Sequence, residues 1–156
     1  MPELEWIKRA YKRSQGASGS ASPRERSPAR RTIMIVDDNP HIIEALGDVL
    51  RGKYSVVACS SAEEVEQRYT DDLGLVLLDI KMTPVDGITI FSMLRRKSER
   101  LPIVIHTAYP GDSEAVARLR ELSPAGFLMK GDYSLQHLDA TVERAIGAGA
   151  DGGGPP

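Results

Sequence analysis

Four apolar runs in this chain each end on a polar residue of a different chemical kind. Thr32-Ile33-Met34-Ile35-Val36 leads into Asp37-Asp38, and Leu75-Val76-Leu77-Leu78 leads into Asp79. Ile103-Val104-Ile105-His106 ends at Thr107, and Phe127-Leu128-Met129 ends at Lys130. If these runs are parallel strands, their carboxyl ends share one edge of a sheet, where three carboxylates, a hydroxyl and an ammonium converge. Carboxylates a few ångströms apart repel one another and raise their own pKa values. A hard divalent cation relieves that conflict, and Mg²⁺ typically takes one or two carboxylates with waters and phosphate oxygens. Asp79 can then attack phosphorus. Lys130 supplies a point charge and the Thr107 hydroxyl a hydrogen bond to a phosphoryl oxygen. Taken singly, each residue has a plainer role: Asp38 as a helix cap, Lys130 as a surface lysine, Thr107 as a strand end. The ordered set is what points to chemistry.

The spacing predicts strands near 32–36, 54–59, 74–79, 102–107 and 125–129, and helices near 40–51, 61–70, 87–98, 112–121 and 134–147. Asn39-Pro40 is a good helix start, since proline suits the first turn. Leu135, Leu138, Val142, Ala145 and Ile146 form an apolar stripe on the last helix. Tyr54 to Cys59 alternates least cleanly. Strands alternating with helices predict an α/β fold, a five-stranded parallel sheet with helices on both faces. With strand order 2-1-3-4-5, the order reverses between strands 1 and 3, where ligands bind beyond the carboxyl ends. Those two strands carry Asp37-Asp38 and Asp79.

At 156 residues the chain suits one domain with tails. No apolar run approaches the ~20 residues of a membrane span. A single cysteine, Cys59, excludes an intrachain disulfide and fits a cytoplasmic setting; closing an apolar run, it reads as a small buried hydrophobe. The net charge of −2 conceals +5 on residues 1–31 and −7 on residues 32–156. So acidic a domain is a poor nucleic-acid binder, and none is expected. Residues 14–31, rich in Ser, Ala, Gly, Pro and Arg, read as a disordered basic linker. Before it, Leu4, Ile7 and Tyr11 stand at helical spacing with Trp6 beside them, which makes residues 4–11 a candidate docking peptide. Residues 148–156 are expected to be a disordered tail.

From about Thr32 to Gly147 the chain resembles a response-regulator receiver domain, the phosphoacceptor module of two-component signalling. IVDDNP resembles the family's acidic pair, LLDIKMTPVDG its phosphoacceptor segment, IHTAY its strand-four threonine and GFLMKG its strand-five lysine. The resemblance implies a flavodoxin-like fold and phosphorylation on Asp79. It also implies Mg²⁺ held by Asp37, Asp38, Asp79 and the backbone carbonyl of Lys81. Thr107 and Lys130 take the switch hydroxyl and the phosphoryl-contacting lysine; Phe127 takes the switch aromatic, turned inward. A histidine kinase or histidine phosphotransfer protein is implied as donor and a downstream protein as reader. Two positions depart from the pattern: Thr83 occupies the family's proline position with Pro84 following it, while Met82, Asp86 and Gly87 keep register, and Gly131 follows Lys130 where the family usually has a cis proline. Gly131 is expected to be trans, because a non-proline cis bond costs about 2.5–4 kcal/mol.

None of the three histidines reads as a phosphodonor. His41 lies beside the acidic pair, His106 inside a strand and His137 on the last helix. No output module is expected, since little sequence follows Gly147. Nor is a turnover enzyme: a phosphatase with an aspartate nucleophile needs a cap that five strands of this length do not provide. The rival reading is an adaptor of the same fold that binds proteins without phosphorylation.

Overall fold

The computed structural model describes residues 30–108 and 113–151. The elements follow in strict alternation: β1 (Thr32–Val36), α1 (Pro40–Leu50), β2 (Ser55–Cys59), α2 (Ala62–Arg68), β3 (Leu73–Leu78), α3 (Gly87–Lys97), β4 (Ile103–Thr107), α4 (Ser113–Glu121), β5 (Gly126–Met129) and α5 (Leu135–Asp151). The strands form one parallel sheet in the order β2-β1-β3-β4-β5, the expected flavodoxin-like arrangement.

Strand periodicity sorts the core into two layers. Met34, Val36, Val76, Leu78, Ile103 and Ile105 face Val65 of α2, Ile90, Phe91 and Leu94 of α3 and Leu119 of α4. Their neighbours Ile33, Ile35, Leu75, Leu77, Val104 and Leu128 face Ile42, Leu46 and Leu50 of α1 and Leu138, Val142 and Ala145 of α5. A strand covered on both faces has no polar side to show, which is why β1, β3 and β4 read as near-continuous apolar runs. On the sheet edge, β2 is only half-buried along Val56-Val57-Ala58, and its pattern is correspondingly weak.

The helix starts are held by side chains. Asn39 caps α1 by accepting from the His41 N–H, with Pro40 behind it. Ser61 caps α2 through the Glu64 N–H, and Glu64 reaches back to the Ser60 N–H. Asp86 caps α3 through the Thr89 N–H at 2.8 Å. Lys53, in the turn before β2, pairs with Asp139 and Glu143 and ties that turn to α5.

One boundary differs. Helix α5 continues to Asp151, past the expected end at 147 and into the expected tail. Gly147 and Gly149 each cost about 1 kcal/mol. An established helix still propagates through them, because Ala148 and Ala150 are the best helix formers and no proline intervenes before Pro155. The rest of that tail, residues 14–29 of the linker and residues 4–11 lie outside the described residues. Among the described residues no helix is long and apolar enough to cross a membrane.

Candidate functional site

Parallel pairing sets the site. In the β1–β3 register Val36 stands opposite Leu78, so Asp37 and Asp79 are the first residues past two neighbouring strand ends. Both backbones are still anchored to the sheet. The Asp79 N–H donates to Val36 O at 2.9 Å and the Asp37 N–H to Cys59 O at 3.1 Å. Two strands away, Thr107 is the last residue of β4, and its carbonyl accepts from the Lys130 N–H at 2.8 Å. The four strand ends thus bring Asp37, Asp38, Asp79, Thr107 and Lys130 to one edge.

Asp37, Asp79 and Thr107 are buried, while Asp38 is exposed. Carboxylate oxygens of Asp37, Asp38 and Asp79 lie within 4.8 Å of one another. The Lys130 ammonium sits 2.7 Å from Asp37 Oδ2 and 3.3 Å from Asp79 Oδ2. Backbone N–H groups serve the opposite oxygens: Asn39 donates to Asp37 Oδ1 at 2.9 Å and Lys81 to Asp79 Oδ1 at 3.3 Å. Burial pushes the Asp79 carboxyl up to about 6, helped by the Asp37 charge and opposed by Lys130. Burial raises Asp37 as well, against the pull of Lys130. Burial alone would lower Lys130, yet its two carboxylate partners raise it, so the lysine is cationic at neutral pH.

These residues fit a hard divalent cation. Asp37 Oδ2 is buried at ion-pair distance from Lys130 but receives no directed hydrogen bond. It therefore keeps lone pairs available, in a cluster whose other donors are also carboxylate oxygens.

Lys81 is exposed at the mouth of the site, two residues past Asp79. The only cis peptide among the described residues is Thr83–Pro84; Gly131 is trans, with φ 86°. Phe127 does not point inward: it is 43% exposed, and Met129 beside it is 38% exposed. Alternation along β5 sends Leu128 into the α1/α5 layer and turns Phe127 and Met129 to the other face. There β5 is the sheet edge, with a neighbouring strand on one side only. His41 and His137 are exposed, and His106 is buried.

Two features went unread in the sequence. A Cβ on Gly87 would lie 2.1 Å from the Asp79 carbonyl oxygen and 2.6 Å from Ile80 Cα. Only glycine lets the first turn of α3 seat against the Asp79 backbone, where the Gly87 N–H donates to Ile80 O at 2.9 Å. The Asp86-Gly87 pair was the available signal, a cap followed by a residue without a side chain. The second is the hydrogen bond between His106 Nε2 and Tyr133 Oη, 2.6 Å long. Burial, with Lys130 nearby, holds the His106 pKa down at about 3, so the ring is neutral. No local pattern links residues 27 positions apart.

Comparison with known proteins agrees with this geometry. The Pseudomonas aeruginosa response regulator protein FleR is 30% identical over 127 residues, 79% of this chain and 27% of FleR. The transcriptional regulatory protein ZraR of Escherichia coli K12 is 31% identical over 116 residues, 73% of this chain and 26% of ZraR. The chain therefore spans about a quarter of the length of these relatives. Among solved structures, the non-phosphorylated HemR receiver domain from Leptospira biflexa superposes with a TM-score of 0.66 at 28% identity, covering 75% of this chain and 94% of that one. A CheY-like receiver domain protein from Methanospirillum hungatei JF-1 gives a TM-score of 0.72 at 17% identity, covering 80% and 99%. Residues 33–152 match the response regulator receiver domain, and the chain belongs to that family.

Proposed function

We propose that this domain accepts a phosphoryl group on Asp79 from a histidine kinase or a histidine phosphotransfer protein. A downstream protein then reads the phosphorylated form. The observation that carries this reading is Lys130 Nζ, 2.7 Å from Asp37 and 3.3 Å from Asp79, on the edge where the three carboxylates gather. Buried lysine placed between two acids is a cation held ready for a more highly charged anion.

In the transfer, an Asp79 carboxylate oxygen attacks phosphorus. The new O–P bond forms as the P–N bond of the donor phosphoimidazole breaks, and the departing nitrogen recovers its electron pair and takes a proton from solvent. With its pKa near 6, Asp79 is mostly the anion at neutral pH, as a nucleophile must be. Mg²⁺ held by Asp37, Asp38, Asp79 and the Lys81 carbonyl supplies charge neutralisation when bound. Lys130 then leaves its carboxylate partners for a phosphoryl oxygen, and the Thr107 hydroxyl donates to another. Because Thr107 and Phe127 lie on adjoining strands, drawing Thr107 toward the phosphoryl group shifts the balance between two arrangements of the β4–β5 region. Phe127 and Met129 give that region an apolar surface.

His106, 2% exposed, is closed to a donor role, and in this reading the phosphohistidine is the partner's. The phosphoryl group rests on the chain itself, so this is a signalling acceptor rather than a turnover enzyme, in a cytoplasmic setting. Gly131, Thr83-Pro84 and the N-terminal peptide favour the rival adaptor reading, but Lys130 reaches both acids despite the first two departures. The decisive experiment titrates Mg²⁺ with beryllofluoride, a phosphoryl mimic, and follows amide shifts. Wild type should saturate with shifts around Thr107 and Phe127, and Asp79→Ala should not. Identical behaviour of the two would end the phosphoacceptor reading.

A further inference from the structure

We propose that His106 and Tyr133 form a clamp that positions Lys130 for the phosphoryl group, so that both are positioning residues for the transfer. The proposal rests on the phosphoacceptor reading above and adds to it how this chain fixes its lysine.

Lys130 directly follows β5 and opens the short loop into α5. The next residue, Gly131, has φ 86°, a left-handed conformation in which glycine brings freedom rather than restraint. On one side of that joint Lys130 is anchored to β4, its N–H donating to Thr107 O at 2.8 Å. Directly after Gly131 the Asp132 N–H donates to Met129 O at 3.0 Å, a local turn that ties the loop only to its own strand. The side-chain tie back to the sheet is Tyr133, whose hydroxyl meets His106 Nε2 at 2.6 Å. The two rings meet edge to face, centroids 5.7 Å apart. His106 immediately precedes Thr107. The loop is therefore gripped on both sides of its glycine by consecutive residues of one strand, and the lysine that spans Asp37 and Asp79 is mounted between the grips.

A plainer role exists for such a pair. A buried imidazole needs a partner and a tyrosine hydroxyl supplies one. The two roles differ in what they leave untouched. A partner that only satisfies a polar group affects the stability of the whole fold, whereas a clamp acts through Lys130 alone. Lys130 contacts the anion and competes with the metal for Asp37 and Asp79, so a loosened clamp weakens phosphoryl binding without weakening the metal.

The test compares Mg²⁺ affinity, and beryllofluoride affinity at saturating Mg²⁺, by amide shifts. The variant is His106→Leu/Tyr133→Phe, which removes both polar groups together and leaves neither buried without a partner. If it does not fold, Tyr133→Phe alone, which retains the ring, makes the same comparison. We expect Mg²⁺ affinity equal to or above that of wild type and beryllofluoride binding weakened about tenfold, the upper end of what one intramolecular hydrogen bond contributes. In a Lys130→Met background the same substitutions should weaken it no further, as coupled residues require. Unchanged beryllofluoride affinity in the variant, or an equal loss in both backgrounds, overturns the clamp while leaving Asp79 as acceptor. Failure of the wild type itself to respond overturns both.

Discussion

Leu77 and Asp79 stand two residues apart at the end of the same strand and are buried alike, at 1% and 3% exposure. Leu77 belongs to the α1/α5 layer, where removing its side chain from water stabilises the fold by about 1.5–3 kcal/mol. Asp79 meets the same lack of water with a charge, and its carboxyl is pushed up to about 6 by burial and by Asp37. The layers beneath the edge hold the protein together, and the edge strains against them. Stability and chemistry thus occupy adjacent positions with opposite signs, and a rigid apolar base is what lets three carboxylates be held closer than they would choose.

The largest effect expected from this contrast lies in the base. Phe91 is fully buried in the α2–α4 layer, and Phe91→Ala should cost about 3–5 kcal/mol in urea unfolding. The molecules that remain folded should still answer to Mg²⁺ and beryllofluoride; a folded but unresponsive variant would show that base and edge are one unit. Next, and opposite in sign, Asp79→Asn should raise the stability of the metal-free protein at pH 7 by about 1–3 kcal/mol. The sign follows from the raised pKa: the folded state holds the Asp79 proton more tightly than the unfolded chain. This group's favourable contribution is complete below an unfolded value near 3.8 and is lost as pH rises through about 6. The advantage of the Asn variant should accordingly vanish by pH 4, and an advantage that persists there would place the effect elsewhere.

The smallest expected effect sharpens the comparison at its boundary, where His106 is buried like the core yet titratable like the edge. Its pKa is held down to about 3, so the unfolded chain binds the proton first and stability falls as pH drops below about 6.5. Facing it are Tyr133, and Lys130 through its charge. Wild type should lose roughly 1 kcal/mol more than His106→Leu/Tyr133→Phe between pH 6.5 and 5.5, as read from urea midpoints. Equal slopes would mean that His106 finds a proton acceptor in the folded state.

What was legible in the sequence follows the same division. Strands β1, β3 and β4 announce themselves because burial on both faces favours apolar residues at nearly every position. Asp37, Asp38, Asp79, Thr107 and Lys130 stand out because each interrupts such a run. The outward turn of Phe127 was hidden, since it depends on β5 being an edge, a property of the whole sheet. The His106–Tyr133 bond was hidden for a related reason: it exists only once β4 and β5 are paired. The continuation of α5 through Gly147 and Gly149 shows the limit of local propensity, because a helix already formed crosses residues that would not begin one.

The strand order has a consequence for how the chain is made. β1 lies between β2 and β3, and its partner residues in β3 follow it by about forty positions. On the ribosome, at roughly 5–20 residues per second, β1 and β2 emerge and pair while the other side of β1 waits a few seconds for its neighbour. During that interval Ile33, Met34, Ile35 and Val36 present an open, apolar strand edge of the kind that joins to other chains. Codon or temperature effects that lengthen the pause between β2 and β3 should therefore lower the yield of this protein more than equal delays after β3. A strand enclosed in the finished fold is thus the one left open in the nascent chain.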